Sequence, residues 1–352
     1  MVPGDGIGRE VVPEAVRVLE TVGRIFDFHF TWEFFDWSCE YYQRFGRMMP
    51  ENGLATLRAF DSIFLGAVGY PGVPDHVSLW GLLIPIRRGF HQFVNLRPAK
   101  LCAGVASPLA VKPRTAIDLV IVRENTEGEY SEVGGRHNLG TSEEYVVQES
   151  RFTRRGCDRI IRYAFELAGK RRGHVTSATK SNGIVHSMPY WDERFVAIAK
   201  EFPDVRTDQF HVDILCSHFV TKPEFFDVVV ASNLFGDILS DLAAGVVGSI
   251  GLAPGANINP NNEFPSMFEP VHGSAPDIAG KGIANPIAQI RTGAMMLAHL
   301  GAKDAAVAIE AAVERVLSSG TTKTPDLGGS SSTREVTDAV IAAIAEPGQH
   351  RK

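Results

Sequence analysis

Asp227-Val-Val-Val-Ala-Ser-Asn233-Leu-Phe-Gly236-Asp237-Ile-Leu-Ser-Asp241 decides how this 352-residue chain is read. The β-branched run Val228 to Val230 predicts a short buried strand, and the segment after Ser-Asn predicts a helix. Asp237 and Asp241 then share one helix face, with Cβ atoms about 6 Å apart. Two carboxylates so close repel each other unless a cation lies between them. Oxygen-only ligands suit a hard ion such as Mg²⁺ or Mn²⁺. A solvated helix face is the plain alternative. The pair follows directly on a strand, where α/β proteins place ligands, and that favours a metal site.

Working outward, 352 residues exceed the size at which one core usually stops growing, so two domains are expected. The chain is 44% hydrophobic and 22% charged, as soluble globular proteins are. Its net charge of -6 argues against nucleic acid. Short basic clusters such as Arg154-Arg155 and Lys170-Arg171-Arg172 read as surface. Cys39, Cys102, Cys157 and Cys216 are scattered and form no Cys-x-x-Cys, which fits a reducing cytoplasm. No apolar run approaches the roughly 18 residues of a membrane span, and no membrane partner is expected.

Met1-Val-Pro-Gly4-Asp-Gly6-Ile-Gly8-Arg-Glu10 is a glycine-rich turn with a first strand that is missing or reduced to two residues, so a truncated, catalytically impaired product is one expectation. Val11, Val12, Ala15, Val18, Leu19 and Val22 predict the helix after it. Strands are predicted at Ser62–Gly69, Ile117–Val122 and His174–Thr176, and an exposed arm at Glu143–Glu149. A helix is predicted over Arg159–Ala168, with Ile160, Ile161, Tyr163, Ala164 and Leu167 inward. The Gly-, Pro- and Asn-rich stretch 251–286 predicts a long loop region. Ser332 and Glu335 form a capping box for a last helix. Strands alternating with helices indicate an α/β protein.

Arg87, Arg97 and Arg123 each follow or end an apolar run. Guanidinium forks grip carboxylates, so three together suit a di-acid, although each alone reads as a surface or structural ion-pair residue. Lys180 follows a strand and, near other cations, could act as a base. Tyr130 is ambiguous by itself. Asp213 lies in an apolar stretch, where a buried carboxylate needs a partner such as a metal shared with Asp237 and Asp241.

Together these residues resemble the metal-dependent β-decarboxylating dehydrogenases, the isocitrate/isopropylmalate dehydrogenase family. The resemblance runs from Val2 to Ile344. Its motifs are Gly4-Asp-Gly-Ile-Gly8, Arg87 with Asn95-Leu-Arg97-Pro, Arg123-Glu-Asn-Thr-Glu-Gly-Glu-Tyr130 and Lys180-Ser-Asn182. They continue with Asp213, Asn233 to Asp241, and Glu269-Pro-Val-His272-Gly-Ser-Ala-Pro-Asp277-Ile278.

The resemblance implies a two-domain isopropylmalate dehydrogenase-like fold, with a mixed sheet flanked by helices, and not a Rossmann fold. Residues 1–93 plus 248–352 would form the cofactor domain. Residues 94–247 would form the substrate, metal and dimerisation domain, with an arm at 134–149. Arg87, Arg97 and Arg123 would bind substrate carboxylates. Asp213, Asp237 and Asp241 would hold Mg²⁺ or Mn²⁺, Lys180 would be the general base and Tyr130 would protonate carbon. Lys180 and Asp213 would come from the neighbouring subunit of a homodimer. A monovalent cation such as K⁺ is a further implied cofactor.

The adenosine site would be the loop of His272, Gly273, Ser274, Ala275, Asp277 and Ile278, continuing to Asn285. Asp277 accepts bonds from a ribose diol and would repel a 2′-phosphate, which selects NAD. Asp75-His-Val-Ser-Leu-Trp80-Gly resembles the tartrate and D-malate dehydrogenase branch. Trp80 would fill space needed by a longer substituent and favour a short 2-hydroxy di-acid. Leu82, Leu83 and Ile84 also resemble an apolar lining for an isopropyl group, which keeps 3-isopropylmalate as the alternative. An all-helical diphosphate-binding enzyme, which also pairs aspartates at i and i+4, conflicts with the β-rich stretches.

Overall fold

The computed structural model describes residues 1–110 and 116–345. The parts of the expected domains at 111–115 and 346–352 lie outside the described residues. The chain forms two compact units. One comprises Met1–Gln92, Lys100–Leu109 and Ala244–Lys352, and the other comprises Phe93–Ala99 and Ala110–Ala243. The strands are β1 (Val2–Gly4), β2 (Ser62–Ala67), β3 (Val94–Lys100), β4 (Asp118–Glu124), β5 (Gly134–His137), β6 (Tyr145–Gln148), β7 (His174–Thr179), β8 (Arg206–His211), β9 (Val228–Ala231), β10 (Ala256–Ile258) and β11 (Ser266–Phe268).

In the first unit β1, β2 and β11 run parallel, and β10 pairs antiparallel with β11. The first strand is therefore present. It has three residues, pairs Val2 with Leu65 and Gly4 with Ala67, and lies at an edge of the strand order. Gly4 leaves the strand at φ +74°, and an added Cβ would meet the Ala67 carbonyl oxygen at 2.0 Å, so only glycine serves there. The buried Asp5 carboxylate ties this turn down by accepting from the backbone N–H groups of Cys39 at 3.0 Å and Gly69 at 3.1 Å.

The helix Gly8–Ile25 buries Val11, Val12, Ala15, Val18, Leu19 and Val22, the face its spacing predicts. Each buried Val or Leu contributes about 1.5 to 3 kcal/mol. This face packs against the helices Ile287–His299 and Thr333–Ala345. Stretch 251–286 is not one long loop. Its triplets β10 and β11 are too short for periodicity to flag, and they become strands by pairing with each other and with β2. The predicted capping box forms, with Ser332 N–H donating to Glu335 Oε2 at 2.8 Å and Glu335 N–H to Ser332 Oγ at 3.2 Å.

In the second unit the strand order is β3-β4-β9-β7-β8, and the pairs β4–β9, β9–β7 and β7–β8 are parallel. All four residues of β9 are buried, as the valine run predicts. Asp227, 1% exposed, fixes the start of β9 by accepting from Arg171 Nε at 2.8 Å and Arg172 N–H at 2.9 Å. The Arg171-Arg172 pair is thus structural. The helix Arg154–Gly169 buries Phe165 and Ala168 beside Ile160, Ile161 and Ala164, whereas Tyr163 and Leu167 are only partly covered. Strands β5 and β6 form an antiparallel arm with every residue exposed. Both units are built on β-sheet, which removes the all-helical reading, and no helix among the described residues is long and apolar enough to cross a membrane.

Candidate active site

The second unit gathers side chains around one carboxylate. The helix Asn233–Val246 begins two residues after β9 and carries Asp237 and Asp241 on one face. Arg97, from β3, donates Nη1 to Asp237 Oδ1 at 3.1 Å and to Ser240 Oγ at 2.8 Å, and lies 3.7 Å from Asp241 Oδ1. Arg123, from β4, has a side chain only 2% exposed. It donates Nε and Nη2 to Asn233 Oδ1 at 3.0 and 2.7 Å, and Nη1 to Asp237 Oδ1. The Tyr130 hydroxyl donates to Asp237 Oδ2 at 2.6 Å, and the Arg123 guanidinium lies 5.4 Å from the Tyr130 ring. A Cβ at Gly236 would come within 2.6 Å of the Arg123 side chain, so the glycine lets helix and arginine meet.

Asp237 thus faces two cations and a phenol, a strongly positive surround for one carboxylate. Asp241 extends outward with 58% of its side chain exposed. Crowding by protein lifts its carboxyl above the ordinary range; Arg97 pulls it down and the Asp237 charge adds to the rise. These oxygen donors suit a hard divalent ion, which would take over the neutralising role that Arg97 and Arg123 perform here.

Lys180 and Asp213 form a second group. Lys180 follows β7, and its Nζ lies 3.0 Å from Asp213 Oδ2 in the first turn of the helix Val212–Thr221. Two expectations are corrected. Asp213 is not buried: its side chain is 65% exposed, because it stands on the open side of a short helix whose buried residues are Leu215 and Phe219. Within the chain Lys180 faces a carboxylate, not other cations, and that hydrogen bond holds the Asp213 carboxyl below its usual value. Among the described residues no three His, Cys, Asp or Glu side chains are placed to hold a metal ion. Asp213 therefore does not join Asp237 and Asp241 within one chain.

In the first unit Arg87 is paired within the chain. Its side chain is 6% exposed and donates Nη2 to Glu269 Oε1 at 2.6 Å, an oxygen that also accepts from Asn257 Nδ2 at 2.7 Å. Glu269 is the partner sequence reasoning missed, since the two residues are far apart in the chain. Leu82 is fully buried and Ile84 is 6% exposed, so neither lines a surface. Trp80 and Leu83 remain partly exposed.

The loop after β11 is anchored to the N-terminal turn. Ser274 C=O accepts from Ile7 N–H at 2.9 Å, and Ala275 and Ile278 pack against Ile7 and Val11. Glu10, also missed, accepts from Gly280 N–H at 2.5 Å and Gly282 N–H at 2.9 Å. Its only sequence signal was an acid in a first helical turn. Gly273 and Asp277 are exposed, and Ser274 is buried. His272 Nδ1 donates to Gly273 C=O at 2.9 Å, which leaves Nε2 a bare acceptor, buried and without a partner. Burial holds the imidazole below its usual pKa, opposed by that hydrogen bond. Asn285 has a structural role, donating to Asp326 Oδ2 and accepting from Ile287 N–H, both at 3.0 Å. An unsatisfied buried acceptor in a loop that also carries an exposed carboxylate fits a ligand rich in hydroxyl and amine donors, as a nucleotide is.

Residues 1–340 match the family model described as isocitrate/isopropylmalate dehydrogenase. The chain is 58% identical over 351 residues to the D-malate dehydrogenase [decarboxylating] of Escherichia coli (strain K12), covering 97% of each. It is 55% identical over 353 residues to the tartrate dehydrogenase/decarboxylase of Pseudomonas putida, covering 98% of this chain and 96% of that protein. The crystal structure of isocitrate dehydrogenase from Methylococcus capsulatus superposes with a TM-score of 0.87 at 39% identity, covering 98% of both chains. The chain belongs to the isocitrate/isopropylmalate dehydrogenase family, a family of oxidoreductases.

Proposed function

We propose that this family member is an NAD- and divalent-metal-dependent dehydrogenase that oxidises a short 2-hydroxy dicarboxylic acid, of the D-malate or tartrate type, and releases CO₂. The observation that carries the reading is the convergence of Arg97, Arg123 and Tyr130 on Asp237, one helical turn from Asp241. Similarity to D-malate and tartrate dehydrogenases supports the substrate class.

Asp237 and Asp241 would hold Mg²⁺ or Mn²⁺, with Asp213 supplied by the neighbouring subunit of a homodimer. A divalent ion in such a site lowers the pKa of a bound hydroxyl and stabilises negative charge on its oxygen. Arg97 and Arg123 would turn from Asp237 to the substrate carboxylates, which guanidinium forks bind bidentately. Lys180, from the same neighbouring subunit, would take the substrate hydroxyl proton, and NAD, when bound, would supply the hydride acceptor. Loss of CO₂ leaves an electron pair on carbon, and Tyr130 donates the proton that ends it. The exposed Asp277 carboxylate supports NAD over NADP, because it would repel a 2′-phosphate.

The test is NADH formation with Mn²⁺ across D-malate, the tartrates, 3-isopropylmalate and isocitrate, with and without K⁺. Rapid turnover of D-malate or a tartrate is the expected result. Turnover of 3-isopropylmalate alone would refute the substrate assignment, and a fully active monomer would refute the shared site.

A further inference from the structure

Arg123 rests on a neutral partner as well as on Asp237. Nε and Nη2, which share one edge of the guanidinium, both donate to the single carbonyl oxygen of Asn233, at 3.0 and 2.7 Å. The other terminal nitrogen, Nη1, donates to Asp237 Oδ1. The orientation of the Asn233 amide follows from its surroundings. Turned over, its NH₂ would set donors against the two Arg123 donors, whereas as placed Nδ2 donates to the Glu127 C=O at 3.1 Å. Asn233 is 3% exposed and the Arg123 side chain 2%, so little water competes for these bonds.

Glu129 fixes the chain on both sides of that amide. Its Oε1 accepts from the Ser232 hydroxyl at 2.6 Å and its Oε2 from the Leu234 N–H at 3.1 Å, where β9 passes into the helix Asn233–Val246. All of these residues belong to the second unit. The arginine edge that Asn233 occupies suits both oxygens of a carboxylate, and charge-assisted hydrogen bonds are roughly twice as strong as neutral ones. A carboxylate at this position would grip Arg123 more tightly and would also cancel the charge that a di-acid needs. The amide holds the arginine in place and leaves its charge intact.

We propose that Asn233 is a positioning residue for substrate affinity: its neutral carbonyl, bracketed by Glu129, aims Arg123 without neutralising it, so that the guanidinium can pass from Asp237 to a substrate carboxylate when a divalent ion takes its place. This rests on the proposed function and deepens it. Asn233 and Glu129 act only through Arg123, which separates them from residues that touch the substrate.

Two calorimetric titrations read this role: D-malate with saturating Mn²⁺ and no NAD, and Mn²⁺ without any acid. Asn233→Asp should raise the D-malate Kd about ten-fold, as expected when one hydrogen bond to a charged group is lost. The same variant should bind Mn²⁺ at least as tightly, because Arg123 is drawn away from Asp237. A merely structural defect would weaken both together. Glu129→Gln loses one of the two acceptors that bracket Asn233, and should raise the D-malate Kd about three-fold, the size of one neutral hydrogen bond, with Mn²⁺ binding unchanged. It also removes a negative charge, so charge alone would make D-malate bind more tightly; should Asn233→Asp not fold, this sign decides. A D-malate Kd within two-fold of the unaltered chain for either variant, tighter binding by Glu129→Gln, or Mn²⁺ affinity that falls in step with D-malate affinity would overturn the proposal. If the unaltered chain binds none of the family's acids, the proposed function itself falls, and this inference with it.

Discussion

Replacing Glu269 by Gln tests whether Arg87 is held as a structural ion pair. Both side chains are nearly sealed, at 6% and 10% exposure, and they meet at 2.6 Å. Such a pair gains little net stability over apolar residues of the same shape, because desolvating both charges offsets their attraction. Removing one partner is different, since it leaves the other charge buried and uncompensated. Glu269→Gln strands the Arg87 guanidinium, whose Nε already lacks a partner, and weakens the acceptor used by Asn257 Nδ2. The cost should be about 3 to 5 kcal/mol. In a domain of this size 1 kcal/mol shifts the midpoint by about 2 to 4 °C, so thermal unfolding should fall by roughly 10 °C. Arg87→Leu should cost a similar amount, and Arg87→Leu with Glu269→Leu should recover much of the loss. The assay is thermal unfolding followed by circular dichroism, arranged as a double-mutant cycle. Single variants that each lose less than about 1 kcal/mol, or losses that add without coupling, would refute the burial argument.

Asp241→Asn should raise the Mn²⁺ concentration needed for half-maximal activity by about 10- to 100-fold, since it removes one ligand charge; an unchanged Mn²⁺ titration would remove Asp241 from the site. Glu10→Gln should weaken NADH binding, read by fluorescence titration without metal, by about ten-fold, the worth of one hydrogen bond to a charged group. Equal affinity in the variant would show that the two loop N–H contacts do not shape the nucleotide site. Stability should also decline as pH falls from 6.5, because burial lowers the His272 pKa below that value in the folded chain while the unfolded chain takes the proton first. Its contribution is complete above 6.5 and lost on acidification, so His272→Gln should flatten the pH dependence of the melting midpoint, and an unaltered slope would exclude His272.

Local patterns carried most of the fold. The valine run of β9, the helical face of Val11 to Val22 and the Ser332–Glu335 capping box were legible because each is set by neighbours within a turn or a strand. The three-residue strands β10 and β11 were not, since their strand character comes from partners far away in the chain. Phe165 was missed on its helix face because neighbouring positions there offer similar apolar candidates, and only its packing against the distant Phe195 and Phe202 rings chooses it.

For the site, the sequence by itself determined residue chemistry and spacing: two aspartates one helical turn apart after a strand, arginines ending apolar runs, and an acid in a glycine-rich loop. It also determined the family, through the order of those motifs. Only the tertiary structure decided which charges meet. It placed Arg97 and Arg123 on Asp237, sent Arg87 to Glu269, and left Asp213 exposed beside Lys180. The reason is physical. Helical spacing is fixed by hydrogen bonds four residues apart, whereas an ion pair between distant residues depends on where packed strands and helices bring their side chains, and on which charges burial forces to find a partner.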